Sequence, residues 1–189
     1  MSDSIYCYPE SDVLKNKLNI REIEHLQNAE RILVSLRLND LFEEPILGQF
    51  DLMHLRKIHH YLFQDIYAWA GEIRTVDIAK SNWFCKAQFI VSQTEKLFAE
   101  LKNDAYLTNL TRDEFVKKCA YYFSEINALH PFREGNGRAQ REFIRQLAVS
   151  NGYTLRFSEV TPDEMLQASI DSFACDYRKM EQVFDKALK

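Results

Sequence analysis

The chain has 189 residues, 46% of them hydrophobic and 13% aromatic, which fits one folded domain and excludes a disordered or low-complexity segment. A formal net charge of −4 gives no support for general nucleic-acid binding, and the scarcity of Gly (5) and Pro (4) leans toward helices. Cys7, Cys85, Cys119 and Cys175 are far apart, form no CxxC pair that would suggest zinc, and read as reduced thiols. Residues 1–20 read as an irregular arm that lacks the pattern of a secretory signal, and no stretch reaches the length of a membrane span, so the expected location is the cytoplasm. Ile23, Leu26, Ile32 and Leu33 then predict a helix over 20–38. Asp51 can cap a second helix running to about Phe63, with Phe50 stapled onto Leu55. Residues 72–85, EIRTVDIAKSNWFC, differ: Ile73, Thr75, Val76 and Ile78 favour strands around a Lys80-Ser81-Asn82 turn, which predicts a short β-hairpin. Helices are expected next over 87–102 and, behind the Thr111/Glu114 capping box, to about Ala128, with Phe115, Cys119, Tyr122 and Ile126 buried. Another runs from Asn136 to about Ser150. Thr161-Pro162-Asp163-Glu164 caps a last helical region that reaches toward Leu188, with a break near Asp176.

The chemistry concentrates in HPFREGNGRAQR, residues 130–141. Pro131 ends the preceding helix and leaves His130 at its exit. Gly135-Asn136-Gly137 turns the chain into the next helix, and backbone N–H groups at such a helix start favour phosphate. Arg138, Arg141 and Arg145 follow at i, i+3 and i+7 on one face, and guanidinium forks match phosphate oxygens. Glu134 offers an oxygen ligand to Mg²⁺, which typically takes one or two carboxylates plus substrate phosphates. His130 can accept a proton near neutral pH. Base, metal ligand, anion nest and arginine clamp together suit phosphate transfer. Neither a Walker A motif nor GxGxxG is present.

HPFREGNGRAQR matches HxFx(D/E)GNGRxxR, the Fic motif, at every fixed position, and the chain is identified by it as resembling Fic-domain proteins. YAWAGEIRTVDIAKSNWFC resembles the segment leading into that family's flap, and YCYPESDVLKNKLNI resembles its N-terminal approach, so the resemblance spans nearly the whole chain. It implies a mainly α fold, a helical bundle around a central motif helix with a small β-hairpin flap, in one Fic domain over 1–189. It implies a protein adenylyltransferase that moves AMP from ATP to a Ser, Thr or Tyr hydroxyl of a target protein. His130 is then the general base and Glu134 the Mg²⁺ ligand. Gly135, Asn136 and Gly137 line the anion hole, Arg138 holds the β-phosphate, Arg141 orients the γ-phosphate and Phe132 anchors the loop. The target is expected to pair through its main chain with the flap around Ile78, Ala79, Lys80, Ser81 and Asn82.

Many Fic proteins are restrained by an (S/T)xxxE(G/N) helix whose glutamate pairs with the second motif arginine, here Arg141. No glutamate in this chain has Ser or Thr four residues earlier; the nearest substitute is Ser172 to Asp176. A separate small antitoxin acting through Arg141 is therefore the expected partner. Transfer of another phosphate-containing group such as UMP, or a non-catalytic binding module, are the alternative functions. His54, His59 and His60 lack HExxH or i, i+4 spacing and read as core or surface histidines. Tyr121, Tyr122 and Phe123 read as core aromatics. Arg145 lies outside the motif and reads as part of a solvated stripe.

Overall fold

The computed structural model describes residues 4–80 and 82–189. Among them run seven α-helices: α1 Ile23–Glu43, α2 Leu52–Phe63, α3 Ile90–Asn103, α4 Arg112–Leu129, α5 Asn136–Ser150, α6 Pro162–Ser172 and α7 Arg178–Ala187. Helix α5 lies between α2 and α4, and α7 packs on α4 and α6. Buried Phe115, Tyr122, Phe123, Phe143 and Phe184 fill the centre between them.

The helix ends follow from local chemistry. Asp51 accepts from His54 N at 2.8 Å and caps α2. Phe50, at φ 50°, lays its ring against His54, Tyr106 and Phe143. Both capping boxes form: Thr111 with Glu114 opens α4, and Thr161 with Glu164 opens α6 behind Pro162. Phe115, Cys119, Tyr122 and Ile126 are all buried on α4. The expected break near Asp176 falls between α6 and α7.

Two expectations change. Helix α1 starts and ends later than 20–38, and its buried stripe is Leu26, Glu30, Val34 and Leu41. Ile23 and Ile32 are 49% and 59% exposed. The stripe is real at helical spacing, but a glutamate occupies its middle, which apolar periodicity misses. The flap also departs from a full hairpin. Among the described residues its arms meet in one antiparallel bridge, Ala79 to Trp83, closed by Lys80 N to Asn82 O (3.1 Å) and Phe84 N to Ile78 O (3.3 Å). Strand-favouring side chains here have only each other to pair with, too little for a ladder. The four cysteines form no disulfide with one another. Among the described residues no helix is long and apolar enough to cross a membrane.

Candidate active site

His130 is the C-cap of α4 and adopts φ 47°, ψ 60°, the left-handed region that ends helices. Pro131 disfavours the α conformation before it, so a non-glycine residue takes this costly geometry. The ring stacks on Phe84 with centroids 3.8 Å apart. Its Nδ1 lies 3.3 Å from the Asn127 carbonyl, so Nδ1 carries the proton and Nε2 holds the lone pair. Burial, with help from the positive charge of Lys80, lowers its pKa to about 3 and keeps the ring neutral.

The turn after Pro131 is stitched from both sides. Asn136 accepts from Phe132 N (2.8 Å) and donates to Phe132 O (2.7 Å), so its side chain is spent on the loop and its backbone opens α5. Phe132 is buried and stacks on His59 at 3.8 Å. Gly135 sits at φ 81°, where a Cβ would lie 2.2 Å from the Phe63 ring; only glycine fits. Asn136 and Gly137 start α5, so their N–H groups belong to the first turn that an α-helix leaves without internal acceptors. Glu134 Oε1 accepts from Gly135 N at 2.8 Å.

The three arginines of α5 have different surroundings. Arg141 lines a cleft, reaches 3.3 Å from where a Gly137 Cβ would stand, and has no carboxylate partner among the described residues. Burial and the neighbouring Arg138 charge lower its pKa. Arg138 donates to Glu30 on α1, reaches Glu134 Oε1 at 3.5 Å and lies over the Phe63 ring at 4.7 Å. The same Glu30 carboxylate accepts from Tyr67, whose pKa is raised by burial and by that carboxylate. Arg145 is not on the solvated stripe expected of it: it forks onto buried Glu142 (2.7 Å twice) and donates to Leu41 O.

His130 stands where two clefts meet. One, about 490 Å³, runs past Arg141, Asn127 and the apolar side chains Phe157, Met165, Ile170 and Phe173. The other, about 500 Å³, runs between the flap residues Ile78 and Ala79 and the turn residues Glu134, Asn136 and Gly137. Lys80, Phe84 and His130 line both. Asn82 lines the first, and Ser81 lies outside the described residues.

Several residues that hold this site escape sequence reasoning. His59, 0% exposed, accepts from Gly71 N at Nδ1 and donates from Nε2 to Glu134 O, fastening the turn to the segment that leads into the flap. It was readable as a core histidine but not as a loop anchor. Glu30 was detectable as a charge on an otherwise apolar stripe. Arg74 and Phe84 carry no motif. His54 is also a core residue, bonded to Ile46 O and Gln146. Asp176 is engaged by Arg178 at the α6–α7 turn and makes no ion pair with Arg141.

A neutral buried imidazole, an open helix N-terminus, a carboxylate and a guanidinium with no carboxylate partner among the described residues, set around joined clefts, define a helical protein of the phosphate-handling, group-transfer class. The profile of the Fic/DOC family matches residues 49–148, and the chain belongs to that family. It is 42% identical over 173 residues to the protein adenylyltransferase VbhT of Bartonella schoenbuchensis, covering 91% of this chain and 36% of VbhT. It is 37% identical over 184 residues to the probable protein adenylyltransferase Fic of Escherichia coli, covering 97% of this chain and 91% of that protein. The N-terminal Fic domain of a Bartonella quintana Bep effector, solved with bound ADP, superposes with TM-score 0.95 at 29% identity, covering 100% and 96% of the two chains.

Proposed function

We propose that the chain is a protein adenylyltransferase that moves AMP from ATP to a Ser, Thr or Tyr hydroxyl of a target protein. The observation that carries this reading is the position of His130 in the wall shared by two clefts, one suited to a nucleotide and one edged by the flap. The names of the relatives support it.

The base of ATP lies against the apolar side chains of the first cleft, and the phosphates extend from Arg141 past His130 to the N–H groups of Asn136 and Gly137, which line the second. Arg138 uses one nitrogen for Glu30 and Glu134, which leaves other N–H groups of its fork for the β-phosphate. Glu134 fits Mg²⁺: its side chain is 46% exposed beside the second cleft, and its bonds to Gly135 N and Arg138 both fall on Oε1. Among the described residues no cluster of three or more ligands exists, as suits an ion whose other ligands are phosphates and water. The ion supplies charge neutralisation at the phosphates when bound.

The acceptor hydroxyl enters from the flap side, its strand paired with the main chain near Ile78–Asn82. Its oxygen attacks the α-phosphorus, the bond to the α,β-bridging oxygen breaks, and pyrophosphate leaves with the electron pair. The hydroxyl proton passes to His130 Nε2, the nitrogen that the Asn127 contact leaves unprotonated. An inhibitor acting in trans fits the same geometry, because a carboxylate delivered to unpaired Arg141 would occupy the γ-phosphate position.

Intact mass after incubation with Mg²⁺ and ATP, UTP or CTP tests the reading, with candidate targets present. A gain of one AMP from ATP, abolished by EDTA, is expected. A gain from UTP alone would replace AMP by UMP as the transferred group.

A further inference from the structure

The end of α4 and the two residues that follow it present four consecutive carbonyls, those of Ala128 and Leu129 in the helix, of its C-cap His130 and of Pro131, at the negative end of a helix of 18 residues. All four are taken by the two roots of the flap. Arg74 donates from Nε to His130 O (2.8 Å), from Nη2 to Leu129 O (3.3 Å), and from its own backbone N to Pro131 O (2.9 Å). Cys85 N donates to Ala128 O (3.0 Å). The same guanidinium also holds the flap: Nη1 donates to Val76 O (2.6 Å) on the incoming arm, and Nη2 donates to Cys85 O on the outgoing arm.

Arg74 is 1% exposed, and its side-chain partners are carbonyls rather than a carboxylate. A buried guanidinium is costly unless its donors are satisfied. Here the helix end supplies the compensating negative potential, and the fork spans distances that a single ammonium cannot. Arg74 lines neither cleft beside His130.

From this geometry we infer that Arg74 is a positioning residue that joins His130 and both roots of the flap into one rigid unit. The register of a target strand on the flap is thereby fixed relative to His130 Nε2. This rests on the adenylyltransferase reading for its catalytic consequence. The mechanical coupling stands by itself. Arg74 touches no substrate, so its effect is on the chemical step and not on nucleotide capture. The phosphate groups meet the start of α5 and Arg141, which Arg74 does not bond.

Arg74→Lys keeps the charge and loses the fork. With ATP and Mg²⁺, transfer by the variant is expected to fall about 10²-fold, the scale of an ångström-sized misplacement of reacting groups. ADP affinity should stay within about twofold. Amide exchange should rise at Lys80, Phe84 and Cys85 and stay unchanged along α5. Wild-type transfer rate with wild-type flap exchange in the variant would overturn the inference. Equal exchange gains across the whole chain would overturn it too, by making Arg74 a general stabiliser.

If the variant does not fold, the wild-type protein decides. The amides of Arg74, Cys85 and His130 should open together, with a common exchange rate once corrected for intrinsic rates. A Cys85 amide opening more than about tenfold faster than that of His130 would show an uncoupled flap. Wild type that transfers nothing from ATP would count against the adenylyltransferase reading, while the exchange data would still judge the coupling.

Discussion

The motif turn and the tip of the flap face each other across His130 and are built in opposite ways. The turn is over-determined: Asn136 clasps Phe132, His59 holds Glu134 O, Glu134 caps Gly135 N, and Phe63 fills the space that a side chain at 135 would need. Among its described residues the flap tip has one bridge and two backbone bonds, and Ala79, Lys80, Asn82 and Trp83 are exposed. The difference matches the two tasks. Phosphates of fixed shape need donors that do not move. A target of variable sequence needs exposed main chain that can accept another strand.

The sharpest way to break the contrast is to put a side chain into the turn. Gly135→Ala combines a positive φ with contact to Phe63, and should cost about 3 kcal/mol or more of stability and abolish ADP binding. Thermal unfolding and calorimetry check both, and a variant of normal stability would show that the turn has slack. On the flap, Asn82→Ala should change transfer by less than about threefold if, as proposed, the target pairs there through the backbone.

Between these extremes lies Glu30, which ties α1 to the turn. Glu30→Gln keeps a hydrogen-bonding group for Tyr67 and removes the charge facing Arg138. A loss of about 1–3 kcal/mol in a urea titration is expected, since Arg138 is left partly buried beside Glu134 alone. Arg145→Met should have the smallest effect on transfer, within about twofold, while exposing the dependence of buried Glu142 on its fork through a lower unfolding midpoint.

Acid provides a further probe of the rigid side. Burial first, then Lys80 and Arg74, holds His130 at about 3, against the weaker upward pull of the Asn127 carbonyl. His59 is also at about 3, lowered by burial, Arg138 and His60 against the Glu134 carbonyl. Unfolded histidines titrate near 6.5, so between about 6.5 and 3 the unfolded chain binds more protons. Stability from this source is complete above pH 6.5 and is lost as pH falls toward 3. Urea midpoints at pH 7 and pH 5 should differ in that direction, and His59→Gln should flatten the slope.

The same contrast explains what was legible in the sequence. Capping boxes at Thr111 and Thr161 and the spacing within 130–141 are local, and they located helix starts and the site. Position 30 was missed because a helical stripe was sought among apolar residues only, and the burial of Glu30 depends on Tyr67 and Arg138, far away in sequence. Strand propensity in 72–85 identified an extended segment but not its pairing, because Arg74 and Cys85 spend their donors on the end of α4 instead of a ladder. Arg145 shares the arginine face of α5 but pairs with Glu142 one turn back.

The most direct measurement compares wild type and His130→Ala for both ADP affinity and AMP transfer from ATP. The expected outcome is unchanged affinity with transfer reduced at least about 10²-fold, because in the proposed mechanism the imidazole acts on the acceptor proton and not on the bound phosphates. Transfer that survives the loss of His130 would contradict the account.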